Sequence, residues 1–225
     1  MVMGSVPDFS YMFHNCGTNT VTGPDLDLSG LTGASATVTT SMFQDSTAIA
    51  IDMSSFVGAS VNAMNSMFYR CNEVVTIDLD VLDTTSVTNI NYMFLSCNDL
   101  VTVTVDPLKF IGDSATDFSG FLDDCGSLVT FDLSGLTMAS CTTLSSMFKA
   151  TPIPSSVTPA DWDWSGITGT YNFIQGSNTL STAKYDALLI ELDSQTLVSG
   201  VDLYMGSSTY TGGGAAATAR ASLIS

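Results

Sequence analysis

Residues 84–105, TTSVTNINYMFLSCNDLVTVTV, set beside residues 60–79, SVNAMNSMFYRCNEVVTIDL, decide how this chain is read. Each carries a Met-Phe pair, a cysteine three residues after the phenylalanine, and a short run in which apolar and polar residues alternate. Outward from these two copies the pair recurs as Met12-Phe13, Met42-Phe43 and Met147-Phe148, and in altered form as Phe121-Leu122 and Phe173-Ile174. The second members, Phe13, Phe43, Phe68, Phe94, Leu122, Phe148 and Ile174, are spaced by 30, 25, 26, 28, 26 and 26 residues. Three residues later comes a small side chain: Cys16, Ser46, Cys71, Cys97, Cys125, Thr151, Ser177. Four residues earlier most copies place an apolar one: Phe9, Met64, Ile90, Phe118, Leu144. The alternating runs are LDL 26–28, IDM 51–53, IDL 77–79, VTV 103–105, FDL 131–133 and WDW 162–164.

Several features that hold one phase over most of a chain mark a repeat, and a period in the mid-twenties marks a solenoid in which each repeat is one coil. The runs read as half-buried strands, because alternation puts both apolar residues on one face. Stacked coils lay such strands side by side as a parallel sheet, so six intervals at about 4.8 Å make a body roughly 30 Å long. In the Met-Phe segment the spacing of Ile90, Met93 and Phe94 is helix-like, which predicts a short helical or 3₁₀ turn on the opposite wall. The expected architecture is a mainly β solenoid of about seven coils over residues 1–180.

These residues resemble the BspA-like leucine-rich-repeat surface proteins, whose recurring form is V-T-x-φ-x-x-M-F-x-x-C-x-x-L-x-x-L-D-L, with φ apolar. The likeness runs over about residues 6 to 180 and fades at Phe121-Leu122 and in TPIPSSVTP. The closing stretch from Tyr185 to Ile224 is similar to segments that follow such repeats in bacterial surface proteins and phage tail-fibre-like proteins. The resemblance implies an extracellular adhesion or recognition scaffold without catalysis.

Residues 181–225 are expected to cap the stack. Ser181 can cap a helix over 181–196 with the stripe Tyr185, Leu188, Leu189 and Leu192, Val201-Asp202-Leu203 reads as a further rung, and AAATARASLI as a short helix. At the other end Phe9 and Met12-Phe13 follow only eight residues, which predicts an uncapped first coil covered by a partner, either another virion structural protein or a second copy.

The charge balance excludes whole classes of function. Five Lys plus Arg stand against 22 Asp plus Glu, a net charge of −17. Nucleic-acid binding needs clustered basic residues, and attachment to anionic lipid needs them too. No run approaches the roughly 20 apolar residues of a membrane span, so no membrane insertion is expected. The start, MVMGSVPDFS, lacks a basic region followed by an apolar one, and so does not read as a secretory signal. Five cysteines, an odd number, argue against a disulfide framework.

Candidate chemistry follows the repeat phase. Asp27, Asp52, Asp78, Asp132 and Asp163 would form an outward ladder interrupted by Thr104, and carboxylate ladders can hold Ca²⁺. The plainer reading is an Asx turn at each strand end, as Ser29, Ser54, Ser134 and Ser165 stand two residues after an Asp. Asp52, Asp78, Thr104 and Asp132 are the candidate ligand surface. Cys16, Cys71, Cys97 and Cys125 share a phase but lack paired zinc spacing, so they read as a column of small packed thiols. Trp162 and Trp164 alternate with Asp161 and Asp163, which suits either a sugar platform or, since both fall in inward slots, the core. A glycosidase needs two carboxylates flanking one bond, and here the acids are spread by repeat phase. His14 has no nucleophile in a recognisable motif. The expected function is non-catalytic recognition of a host glycan or protein, from a bacteriophage virion (tail fibre, tail tip or decorating adhesin) or from a bacterial cell surface, with a tail-associated depolymerase as the enzymatic alternative.

Overall fold

The computed structural model describes residues 6–16, 26–28, 31, 35–56, 61–176 and 178–224. Among them five short strands, β1 Leu26–Asp27, β2 Ala50–Asp52, β3 Thr76–Asp78, β4 Thr102–Thr104 and β5 Thr130–Phe131, form one parallel sheet in chain order. The register is one repeat per rung: Leu26 pairs with Ile51, Ile51 with Ile77, Ile77 with Val103, and Val103 with Phe131. Each strand contributes two or three residues to the sheet.

A second parallel ladder, made of single paired residues, runs along another side of the molecule: Asp8–Val38–Ala63–Asn89–Asp117–Thr143–Gly169. It leads straight into the Met-Phe segments, which are not helical. In all seven copies the residues two before and two after the second member of the pair have positive φ: Tyr11 and Asn15, Ser41 and Asp45, Ser66 and Arg70, Tyr92 and Ser96, Gly120 and Asp124, Ser146 and Ala150, Asn172 and Gly176. The helix-like spacing of Ile90, Met93 and Phe94 therefore misleads. Left-handed residues at Tyr92 and Ser96 break any helix, and the amides divide their bonding between two directions instead. Met67 N–H and Cys71 N–H close turns onto Met64 O and Phe68 O, both at 3.2 Å. Phe68 N–H and Arg70 N–H reach across to Met93 O and Leu95 O of the next copy, both at 2.8 Å. A left-handed non-glycine residue costs about 1–2 kcal/mol. The arrangement persists because it satisfies turn and inter-copy bonds together while burying the pair.

The same inter-copy bond joins every Met-Phe slot to the next. Phe13, Phe43, Phe68, Phe94, Leu122, Phe148 and Ile174 donate in turn to the carbonyls of Met42, Met67, Met93, Phe121, Met147, Phe173 and Tyr204. The rings of Phe13, Phe43, Phe68 and Phe94 stack within 2–7° of parallel at 5.3–5.4 Å. Phe43, Phe68, Phe94, Leu122, Phe148 and Ile174 are fully buried, in one cluster with the inward strand residues Ile51, Ile77, Val103 and Phe131. Phe13 and Cys16 are half-buried. A parallel sheet with few helices and this register is compatible with the repeat solenoid expected.

Two expected rungs are absent. WDW 162–164 is not a strand: Pro152, Pro154 and Pro159 precede it, and proline cannot donate to a ladder. The edge of β5 is met instead by a side chain, as Ser156 Oγ donates to Phe131 O and accepts from Leu133 N–H, both at 2.9 Å. One step on, Gln195 does the same: its Oε1 accepts from Trp164 N–H at 2.8 Å and its Nε2 donates to Trp162 O at 3.0 Å. Val201-Asp202-Leu203 is not a strand either, and the rung after Ile174 is Met205, paired with it in parallel. Helix α1, Thr182–Ser194, starts at Ser181, whose Oγ accepts from Lys184 N–H, and buries Leu188, Leu189 and Leu192. Helix α2, Ala215–Leu223, packs on α1 through Ala216 and Ala219.

Candidate functional site

The strand register brings the candidate face together. Asp27 pairs with Asp52, Asp52 with Asp78, and Asp78 with Thr104. Asp52, Thr104, Asp132 and Asp163 are exposed and Asp78 is half-buried; the Asp27 side chain and Ser29 lie outside the described part of the structure. Asp132 follows β5 by one residue, and Asp163 lies beyond the sheet. The carboxylates serve turns: Asp52 Oδ1 accepts from Ser54 N–H at 2.8 Å, Asp78 from Asp80 N–H at 3.0 Å, Asp132 from Ser134 N–H at 3.0 Å and Asp163 from Ser165 N–H at 2.9 Å. The Ser165 hydroxyl, then its N–H, holds the Asp163 carboxyl below the usual carboxylate range. Among the described residues no group of three or more His, Cys, Asp or Glu is placed to hold a metal ion. The second ladder repeats the device: Asp8, Asn89, Asp117 and Thr143 accept from the N–H of Ser10, Asn91, Ser119 and Ser145. Its polar side chains also bond from copy to copy, Thr40 to Asn65 at 2.8 Å and Asn91 to Asp117 at 3.0 Å. Sequence reasoning missed this second polar stripe, although the spacing of Asn89 and Asn91, or of Asp117 and Ser119, carries the same Asx signal.

The thiols form a built column. Cys71, Cys97 and Cys125 Sγ donate to the carbonyls of Phe43, Phe68 and Phe94, each at 3.0 Å. Thr151 takes the role in the next copy, its hydroxyl donating to Leu122 O. Burial pushes the Cys97 thiol well up, with Cys125 and Cys71 beside it adding to the effect. Burial also pushes Cys141 up to about 12. A nucleophilic cysteine needs the opposite shift.

Trp162 and Trp164 are 2% and 3% exposed, their rings 5.9 Å apart, and Trp164 Nε1 donates to Pro159 O at 2.8 Å. They are core residues and offer no open face to a sugar. His14 meets Asp45, whose Oδ2 lies 3.5 Å from Nε2, and Arg70 Nε lies 3.2 Å from the other oxygen of that carboxylate. This cluster ties the first three copies together. Asp123, 8% exposed, pairs through Oδ2 with Lys149 Nζ at 3.1 Å, Oδ1 has no hydrogen-bond partner among the described residues, and burial raises its carboxyl.

One comparison bears on what this geometry belongs to. The family described as Mycoplasma protein of unknown function, DUF285, matches residues 7–110 and again 64–186. The chain belongs to this family. The two matches start 57 residues apart, close to two repeats, as expected when one description fits a periodic chain at two positions of like phase. The match supports the resemblance to BspA-like surface-repeat proteins. No curated protein and no solved structure matches the chain. No helix among the described residues is long and apolar enough to cross a membrane.

Proposed function

We propose that this chain is a non-catalytic recognition and structural protein, a BspA-like solenoid with a helical C-terminal cap, that presents a periodic polar face to a surface glycan or protein. The observation that carries the reading is the register Asp27–Asp52–Asp78–Thr104, which sets like positions of successive copies side by side. Repeat scaffolds bind through such extended faces. The setting we infer is a bacteriophage virion, as a tail-fibre, tail-tip or decorating adhesin with a further virion subunit or a second copy as structural partner. Free thiols, four of the five buried, support it. The family match favours a second reading, a bacterial cell-surface adhesin.

The test is binding of labelled protein to whole bacteria and to purified surface polysaccharides. The triple variant D52N/D78N/D132N keeps an oxygen at each Asx turn, so it folds, and it should lose binding. Binding that survives in this variant places the contact elsewhere, and release of reducing sugar would make the protein a depolymerase.

A further inference from the structure

Arg220 at the wall of a cavity of mixed apolar and polar lining at the C-terminal end points, we infer, to a binding site for a small amphiphile with an apolar body and a single anionic head, an acyl carboxylate. The cavity, about 850 Å³, lies between α1, α2 and the irregular segment 195–203. That volume is in the range of small-molecule sites, which are commonly apolar with a few placed polar groups. Its apolar lining includes Trp164, Ile167, Leu192, Leu197, Leu203 and Leu223.

The bases of this chain are scarce, and four of the five Lys and Arg are engaged. Arg70, Lys109 and Lys149 each hold a carboxylate at 3.1–3.3 Å, and Lys184 donates to Ser155 O and Val157 O at 2.6 Å. Arg220 also lines the cavity, is half-buried, and has no ion pair among the described residues, although 22 acids are present in the chain. It is held by an aromatic face instead, 5.4 Å above the Tyr210 ring, a contact that positions a guanidinium without neutralising it. Asp193 and Asp202 also line the cavity but are exposed, so their charges sit in water. A half-buried guanidinium beside apolar side chains complements a single carboxylate head that carries a hydrocarbon tail.

The inference is independent of the strand-face reading and is tested separately. The full chain is titrated with decanoate, decanol and decyltrimethylammonium, each below its micellar range, by calorimetry and by tryptophan fluorescence, since Trp164 lines the cavity. Decanoate should bind saturably and at least tenfold more tightly than decanol, and the ammonium more weakly than either. R220Q should bring decanoate down to the affinity of decanol and leave decanol unchanged. L197W, which fills the cavity from another of its lining positions, should abolish binding of all three and keeps the test valid if R220Q melts early. Absence of saturable binding overturns the proposal, as does equal affinity for decanoate and decanol, or a preference for decanoate that survives in R220Q. Sedimentation with phosphatidylglycerol vesicles without decanoate binding would mark a membrane-facing patch and overturn it equally.

Discussion

Copies around Phe43, Phe68 and Phe94 and copies around Leu122, Phe148 and Ile174 share one backbone plan with different side chains. In the first group the rings lie parallel, 2–6° apart, over a column of cysteine thiols. In the second Leu122 replaces the ring, Phe94 meets Phe121 edge-on at 84°, and Thr151 replaces the thiol. Yet Leu122 N–H donates to Met147 O as Phe68 N–H does to Met93 O. What is constant is the cross-copy bond flanked by left-handed residues; ring stacking is one way of filling the space it leaves.

That difference can be broken first at the column itself. Phe68→Ala should cost about 3–5 kcal/mol, read by denaturant titration, whereas Phe68→Leu, which copies the Leu122 solution, should cost less than about 1.5 kcal/mol. Equal losses would make stacking the essential element. At the C-terminal edge Gln195→Ala orphans Trp164 N–H and Trp162 O, at a cost of about 1–3 kcal/mol in the same assay.

The glycine slot sharpens the contrast. Ser41, Ser66 and Ser146 occupy the position that Gly120 holds in its own copy, with φ +59°. At Gly120 a Cβ would come within 2.5 Å of the Tyr92 ring, which lies over it. Gly120→Ser should therefore destabilise by about 1–2 kcal/mol, and Tyr92→Ser should recover most of the loss, a coupling that a double-mutant cycle measures. At the partner slot Ala150 is left-handed at φ 53° and exposed. Ala150→Gly, ordinarily unfavourable, should stabilise by about 1 kcal/mol by removing the Cβ clash.

Asp123 gives the smallest effect, with a pH signature. Burial raises its folded-state pKa, so the native state holds the proton more tightly and stability falls as pH rises through that window. Asp123→Asn should raise the thermal midpoint slightly at pH 7, and the gain should vanish below the ordinary Asp range. A gain that persisted at low pH would assign the effect to packing.

The period, the Met-Phe column, the thiol slots and the inward tryptophans could all be read from the sequence, because each is one residue type at one phase. The turn geometry could not. An i, i+3, i+4 apolar pattern is common to a helix and to this string of turns, and only the φ signs at Tyr92 and Ser96 separate them. The lost sixth strand was foreshadowed by Pro152, Pro154 and Pro159, but nothing local shows that Ser156 and Gln195 would supply the missing bonds, because Gln195 is 31 residues from Trp164. Met205 was hidden for the same reason: α1 separates it from Ile174. On the candidate face the Asx turns were legible from Asp and Ser spacing. The cavity below Arg220 was not, since it forms between segments far apart in the chain.

The most direct measurement is of the register itself. Parallel neighbours lie about 4.8 Å apart, within the Cα range of about 4.4–6.8 Å that a disulfide spans. Asp52 is paired with Asp78, and Thr104 lies one rung further. In D52C/D78C and D78C/T104C, mild oxidation followed by peptide mapping should find the engineered cross-link, and D52C/T104C should give none. Cross-linking in the last pair alone, or in none of the three, would contradict the one-repeat-per-rung register.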